Sequence, residues 1–333
     1  MISPETRSYL SGTPVLFVLV ATLWGGSFPA IEVGLHYFPP LLFAGMRYTA
    51  AGAIILGYAV LAGHRWRPAG RDEWLAIGVV GAFLIAGHHA FVYLGEQYVS
   101  GAIASIIISL SPVMTAAFAA VVLDERLTPV KVAGFALGLV GVVVVADIDP
   151  ANALSASAVG VGLVLLATAC FALGSVLVRP LRTDLPVTAL QGWAMVGGSG
   201  ALWAVGALRG ETVAAVNWTP TAVATLTYLT LFSGVVAFLV YFALLDRVGP
   251  TQLNLVGYLE PVVATLVAWA LLGELIDSTT ALGFVVIFVG FALVKRRAVG
   301  ELLAGVLPSS ESDVDRDADE STAWSSDAGP ADD

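Results

Sequence analysis

Residues 258–294 read YLEPVVATLVAWALLGELIDSTTALGFVVIFVGFALV, and residues 109–145 read SLSPVMTAAFAAVVLDERLTPVKVAGFALGLVGVVVV. At one constant offset of 149 residues, Pro112 matches Pro261, Glu125 matches Glu274, Gly134 matches Gly283 and Gly141 matches Gly290. Each copy is an apolar run ending at an acid, followed by a second apolar run with spaced glycines. Neither copy alternates with period two, which argues against a β-barrel. Both read as consecutive helical spans, because crossing about 30 Å of hydrocarbon takes roughly 20 apolar residues at 1.5 Å each.

Outward from this pair, breaks at glycine, proline and charge clusters predict ten spans. They cover residues 13–35, 40–62, 74–95, 101–123, 129–147, 157–178, 187–208, 219–244, 250–272 and 279–297. Composition agrees: of 333 residues, 58% are hydrophobic and 12% charged, about half the charged share of a soluble domain. Mean hydropathy is +0.87. The expected fold is an all-α integral membrane protein of ten transmembrane helices. Its domains are a cytoplasmic N-terminus (1–12), a first five-helix repeat (13–147), an external linker (148–156), a second repeat (157–297) and an acidic disordered tail (298–333). Residues 301–333 hold ten acids and one arginine, so nearly all of the net charge of −10 belongs to the tail. The single cysteine, Cys170, excludes an intrachain disulfide, and no small-residue cleavage site follows the first apolar run, which therefore reads as a span.

Basic residues orient the chain, since they gather on the cytoplasmic side. With both termini inside, 13 of the 15 lysines and arginines fall in inner segments, Arg209 falls outside and Arg47 within the membrane. Trp66, Trp74 and Trp218 then lie near interfaces. A repeat of five spans enters the membrane from the opposite side the second time, so Glu125 ends its helix at the inner face and Glu274 at the outer. Inverted repeats can open to either side around a midplane site, which is the geometry of alternating access; the competing reading is a duplication kept for packing alone.

With these features the chain resembles the drug/metabolite transporter superfamily, in its EamA branch. The resemblance rests on ATLWGGSFPAI, FAGMRYTAAG and the two repeat copies, and covers residues from about 13 to 297. It implies a helix bundle with a central substrate cavity between the halves, spans 5 and 10 at the periphery, and transport of small metabolites, many of them exported. Asp124 stands where the first copy of the motif usually has glycine, so that helix end is expected to differ.

Ionisable groups inside a span cost ~2.5–3.5 kcal/mol each on insertion scales and usually face the bundle interior. Glu260, about 15 Å deep by helical rise, is the deepest carboxylate. Pro261 beside it removes a backbone N–H and weakens the bond to the Gly257 carbonyl. Glu260 reads either as a substrate or proton group or as a partner for the kink; Ser111 replaces it in the first half. Pro112 and Pro261 are the expected kinks. Arg47, with His88 and His89 at similar depth, could hold a carboxylate substrate; alternatively Arg47 snorkels or pairs with Glu32. The two histidines point about 100° apart on a helix, so one of them is expected to face the cavity, and they lack the i, i+4 spacing of a metal pair. Trp24 and Ser27 lie beside the Gly25–Gly26 pair, where helices can approach closely or bend. Trp24 either stacks on substrate or fills the core, and Tyr93, Tyr241, Tyr258 and Trp193 are further candidate cavity aromatics.

No P-loop, HExxH, GxSxG or CxxC pattern is present, so no cofactor, metal, ATP or nucleic-acid partner is expected. The expected function is a secondary active transporter, an exporter of small metabolites, amino acids or related compounds, working by alternating access between the inverted repeats at the plasma membrane. Its partners would be the substrate, the bilayer, a proton or other coupling ion, and a second copy through Gly134, Gly138 and Gly141. A nucleotide-sugar or sugar-phosphate carrier would want more cavity cations than Arg47. An intramembrane enzyme lacks paired catalytic groups, and a scaffold does not account for the buried charges.

Overall fold

The computed structural model describes residues 4–125, 128–146, 155–181, 183–253 and 256–294. Every regular element among them is helical. Spans 1 to 5 are built by α1 (Pro4–Gly25) with α2 (Ser27–Gly34); α3 (Pro40–Leu61); α4 (Arg71–Val79), a π-helical segment (Val80–Gly87) and α5 (His88–Gly95); α6 (Gly101–Ile108) with α7 (Ser111–Val122); and α8 (Pro129–Ala146). Spans 6 to 10 follow as α9 (Ala156–Leu177); α10 (Val187–Leu208); α11 (Pro220–Thr227), a second π segment (Tyr228–Val236) and α12 (Ala237–Leu253); α13 (Val256–Leu272); and α14 (Ser278–Val294). Six stretches among the described residues are long and apolar enough to cross a membrane: Gly12–Gly34, Pro40–Leu61, Arg71–Gly95, Gly101–Val122, Ala156–Leu177 and Pro220–Val248. Shorter apolar helices supply Val132–Val145, Leu259–Leu272 and Ser278–Gly290. The predicted tail and most of the predicted linker lie outside the described residues.

The halves pack by exchanging equivalent partners. Span 1 packs on spans 8 and 9, and its counterpart span 6 on spans 3 and 4. Span 2 packs on span 8, and span 7 on span 3. Spans 2 and 7, 4 and 9, and 5 and 10 meet their own counterparts. Where equivalent helices touch, they run antiparallel. Along α3 and α10, Leu41 faces Gly206, Gly45 faces Trp203, Gly52 faces Met195 and Leu56 faces Gly192. Equivalent helices running in opposite directions are what an inverted duplication requires.

The α8–α14 contact decides what the repeat glycines are for. A Cβ on Gly290 would lie 2.7 Å from the Gly134 carbonyl oxygen, and one on Gly141 would lie 2.8 Å from the Gly283 carbonyl oxygen. Both obstacles are backbone, so no side chain fits without separating the helices. The glycines expected to support a homodimer are therefore used within one chain, joining spans 5 and 10. Val140, Val143, Leu282 and Val285 remain exposed on the outer faces of this pair, as a lipid-facing surface requires.

The helix ends at the repeated acids are alike, contrary to the expectation for Asp124. Asp124 has φ 53° and Gly273 φ 72°, both left-handed. The N–H of Glu125 donates to Ala119 O at 3.4 Å, and that of Glu274 to Ala268 O at 3.4 Å. Aspartate is one of the few residues besides glycine that visits this region, so the turn survives the exchange. Gly273→Ala is expected to cost about 1–2 kcal/mol, whereas Asp124→Gly should gain a fraction of that. The midpoint of thermal unfolding of the two variants in detergent checks the sign; equal losses would contradict it.

One predicted boundary moves and one predicted span is broken. The helix of span 8 runs through Gly249 and Pro250 to Leu253 instead of ending near 244. Span 4 is broken at Ser109 and Leu110, with Pro112 in the first turn of α7. The proline terminates nothing there: it starts a helix, where its missing N–H costs no hydrogen bond.

Candidate functional site

The polar groups of the membrane interior converge on α3. Arg47 is 3% exposed. Its Nη1 donates to the Tyr93 hydroxyl at 3.1 Å and its Nη2 to Ser233 Oγ at 2.9 Å. Its guanidinium lies 4.8 Å from the Tyr48 ring centroid, and Nε has no acceptor among the described residues. Arg47 does not pair with Glu32, whose carboxylate instead accepts the Gly101 N–H at 2.7 Å. Nor does it snorkel: it is held by neutral hydroxyls from spans 3 and 8. A buried guanidinium whose hydrogen bonds among the described residues go only to hydroxyls keeps an attraction for an anion.

The π segments explain how those hydroxyls reach it. Val80–Gly87 and Tyr228–Val236 occupy the same place in the two repeats, close to the 149-residue offset. A π segment slips the bonding register by one residue, turning side chains to new directions and often marking functional sites. In span 8 this brings Ser233 against Arg47, while the Ser233 carbonyl accepts the Trp24 indole N–H at 3.1 Å. In span 3 the π segment ends at His88 and His89. His88 Nδ1 contacts Ala167 O at 3.0 Å, beside Phe171 of α9. The His89 ring contacts the Tyr48 hydroxyl through Nε2 and Ile85 O through Nδ1. So the histidines do diverge, His88 toward span 6 and His89 toward span 2. Their rings still touch, 4.6 Å apart at the centroids.

Trp24 carries the network toward Glu260. Its ring meets Phe238 at 5.1 Å and Tyr241 at 5.0 Å, and Glu260 lies within electrostatic reach of Tyr241. Glu260 is half-buried on α13 and takes no hydrogen bond among the described residues. Gly25 sets this approach, because a Cβ there would lie 2.7 Å from the Glu260 carbonyl oxygen. Ser27 turns back on its own chain, donating to Trp24 O at 2.5 Å across the break between α1 and α2. Tyr228 donates to Leu23 O at 3.0 Å at the same break.

The remaining candidates are dispersed. Ser111 is half-buried at the start of α7 and its carbonyl accepts the Thr115 hydroxyl at 2.7 Å. Pro261 stands inside α13, whose helix runs through it. The Tyr258 side chain lies outside the described residues. Trp193 bonds Trp66 O at 2.8 Å and stacks with Trp66 near a span end, away from the network. Glu125 pairs with Arg179 at 3.1 Å, joining the halves at one end of the bundle. Both partners are more than 40% exposed, so this pair contributes no more than about 1 kcal/mol. At the opposite end, Glu274 approaches Glu32. Ser233 and Glu96 were not singled out from sequence. Ser233 carried no signal, being one of several serines in apolar runs. Glu96 had one, a carboxylate directly abutting a span.

A duplicated five-helix bundle with a buried polar network across its halves is the architecture of a multi-pass membrane transporter. The comparisons with known proteins agree: the EamA-like transporter family matches residues 13–146 and 158–296, and the chain belongs to that family. An uncharacterized inner membrane transporter, YedA of Escherichia coli K12, is 29% identical over 279 residues, covering 82% of this chain and 87% of its own. An uncharacterized transporter of Archaeoglobus fulgidus is 26% identical over 283 residues, covering 85% and 98%. A crystal structure with 20% identity aligns at a TM-score of 0.59 over 86% of this chain and 98% of its own, a likeness of fold. The protein is thus a transporter, not an enzyme.

Proposed function

We propose that this protein is a secondary active exporter of small metabolites, amino acids or related compounds, working by alternating access between its inverted repeats at the plasma membrane. The observation that carries the reading is the network itself. Spans 1, 2, 3 and 8 from both halves meet at Arg47, Ser233 and Trp24, where a carrier of inverted repeats holds its cargo. Arg47 is the anchor for a substrate carboxylate, Trp24 and Tyr241 supply apolar area, and Glu260 carries the opposite charge on the far side of Trp24. The halves are residues 13–147 and 157–297, with both termini cytoplasmic.

The test is flux in proteoliposomes, with a panel of amino acids, amines and sugar phosphates, with and without a pH gradient. Amino acids should move faster than in protein-free vesicles, and faster still with the gradient. Movement of sugar phosphates alone would instead support a sugar-phosphate carrier, and no movement of any compound would contradict transport of this class. For topology, cysteines at Ser155 and Ser309 in a Cys170→Ala background should label from opposite sides; labelling from one side would contradict the orientation.

A further inference from the structure

The two ends of the bundle are closed by different chemistry. Where span 4 ends, Glu125 meets Arg179 at the end of span 6, an acid with a base. Where its counterpart span 9 ends, Glu274 meets Glu32 of span 1, an acid with an acid. Glu32 cannot turn away, because its carboxylate is tied to the Gly101 N–H at the start of α6. Like charges in electrostatic contact repel, whereas one proton between them converts the repulsion into a hydrogen bond.

A third carboxyl completes the group. Glu96, one residue beyond α5, is 5% exposed, and neither of its oxygens has a partner among the described residues. It lies within electrostatic reach of Glu32 on one side and of Arg47 on the other. Burial first, then the Glu32 charge, push its carboxyl well above the usual carboxylate range, with Arg47 opposing. A fully buried carboxylate with no donor is costly, and a proton or a cation relieves that cost. The charged and titratable groups around it are Glu32 and nearby His36 from span 1, Arg47 from span 2, Tyr93 on its own helix and Glu274 after span 9. The α9 surface packed on Gly95 offers Val164, Gly160 and Leu163, none of which titrates.

We propose that Glu32, Glu96 and Glu274 form a proton-binding site that latches this end of the bundle, with Glu96 passing the proton between the latch and the Arg47 network. With a proton on the Glu32 carboxyl, its approach to Glu274 holds the two halves together; without that proton the two charges push them apart. Glu96 lies within electrostatic reach both of Glu32 and of Tyr93, which bonds Arg47. The latch end is then opened by proton loss, while the Glu125–Arg179 end, an ordinary ion pair, responds to salt. This rests on the reading of the chain as a coupled carrier, but its test needs no substrate.

The experiment is pH-difference infrared spectroscopy of the purified full-length protein in lipid nanodiscs, following the C=O stretch of protonated carboxyl groups. The wild type should show a band that bleaches as pH rises. Glu96→Gln and Glu32→Gln should each lose a component of it, and Glu260→Gln should leave those components in place. Removing the Glu32 charge should also move the remaining Glu96 component to lower pH. Should Glu96→Gln fail to assemble, Glu274→Gln at its half-buried position serves instead and should shift the Glu32 component. Spectra of these variants identical to wild type would overturn the proposal. So would bleaching by added sodium chloride at constant pH, which would make the ligand a metal cation. Absence of flux for every compound in the panel would count against the carrier reading and leave these bands as they are.

Discussion

Arg47→Met is expected to lower flux at least about a hundredfold, equivalent to ~2.7 kcal/mol, while the protein still assembles. Methionine fills a similar volume and removes the buried charge, whose desolvation is itself unfavourable; such exchanges are often neutral for stability. What is lost is the pair of bonds that ties span 2 to Tyr93 of span 3 and Ser233 of span 8. Those hydroxyls, both fully buried, can turn to local carbonyls, so the melting temperature should move by only a few degrees. Arg47→Lys should be nearly as inactive, because an ammonium on a flexible stem cannot reproduce the planar fork that reaches two hydroxyls at once. Flux above a tenth of wild type in the methionine variant would make Arg47 a packing element and remove the substrate anchor.

Glu260→Gln is expected to abolish acceleration by a pH gradient while exchange without net proton movement persists. Glutamine keeps the size and one carbonyl acceptor, and Glu260 takes no hydrogen bond among the described residues that glutamine would forfeit. The α1–α13 contact at Gly25 is made by the Glu260 carbonyl and the Val263 side chain, so it does not depend on the charge of the Glu260 side chain. Gradient-driven flux within twofold of wild type would show that Glu260 carries no proton in the cycle. Substrate contact would then have to be read from counterflow affinity alone.

The architecture was legible because the repeated residues do backbone work. The Asp124–Glu125 and Gly273–Glu274 turns make the same bonds, and the spaced glycines meet crosswise across α8 and α14, Gly134 against Gly290 and Gly141 against Gly283. Constraints of that kind leave marks at fixed spacing. The π segments left none: VGAFLIAG and YLTLFSGVV share no pattern, since the register slip is selected by neighbouring helices. For the same reason Ser233 could not be singled out. A helix with lipid on one side and packed helices on the other is apolar all round, so periodicity does not say which face turns inward. The expected Glu32–Arg47 pair failed because each group had a local alternative: a helix N-terminus for the carboxylate, and hydroxyls already aimed at the guanidinium. Glu96 is not legible in the sequence because a charge abutting an apolar run ordinarily marks a wet interface, whereas here it is 5% exposed.

Reciprocal motion of the two ends is the most direct trial of alternating access. Spin labels would be placed across the halves at Val121 and Val187 for the Glu125 end, and at Tyr98 and Leu271 for the Glu274 end, all exposed positions, in a Cys170→Ala background. Electron–electron distance distributions would be recorded in nanodiscs at acid and alkaline pH. The distance at one end should lengthen as that at the other shortens, with the Glu274 end opening on the alkaline side. Two ends that lengthen together, or distances that stay fixed while flux proceeds, would contradict alternation between the repeats.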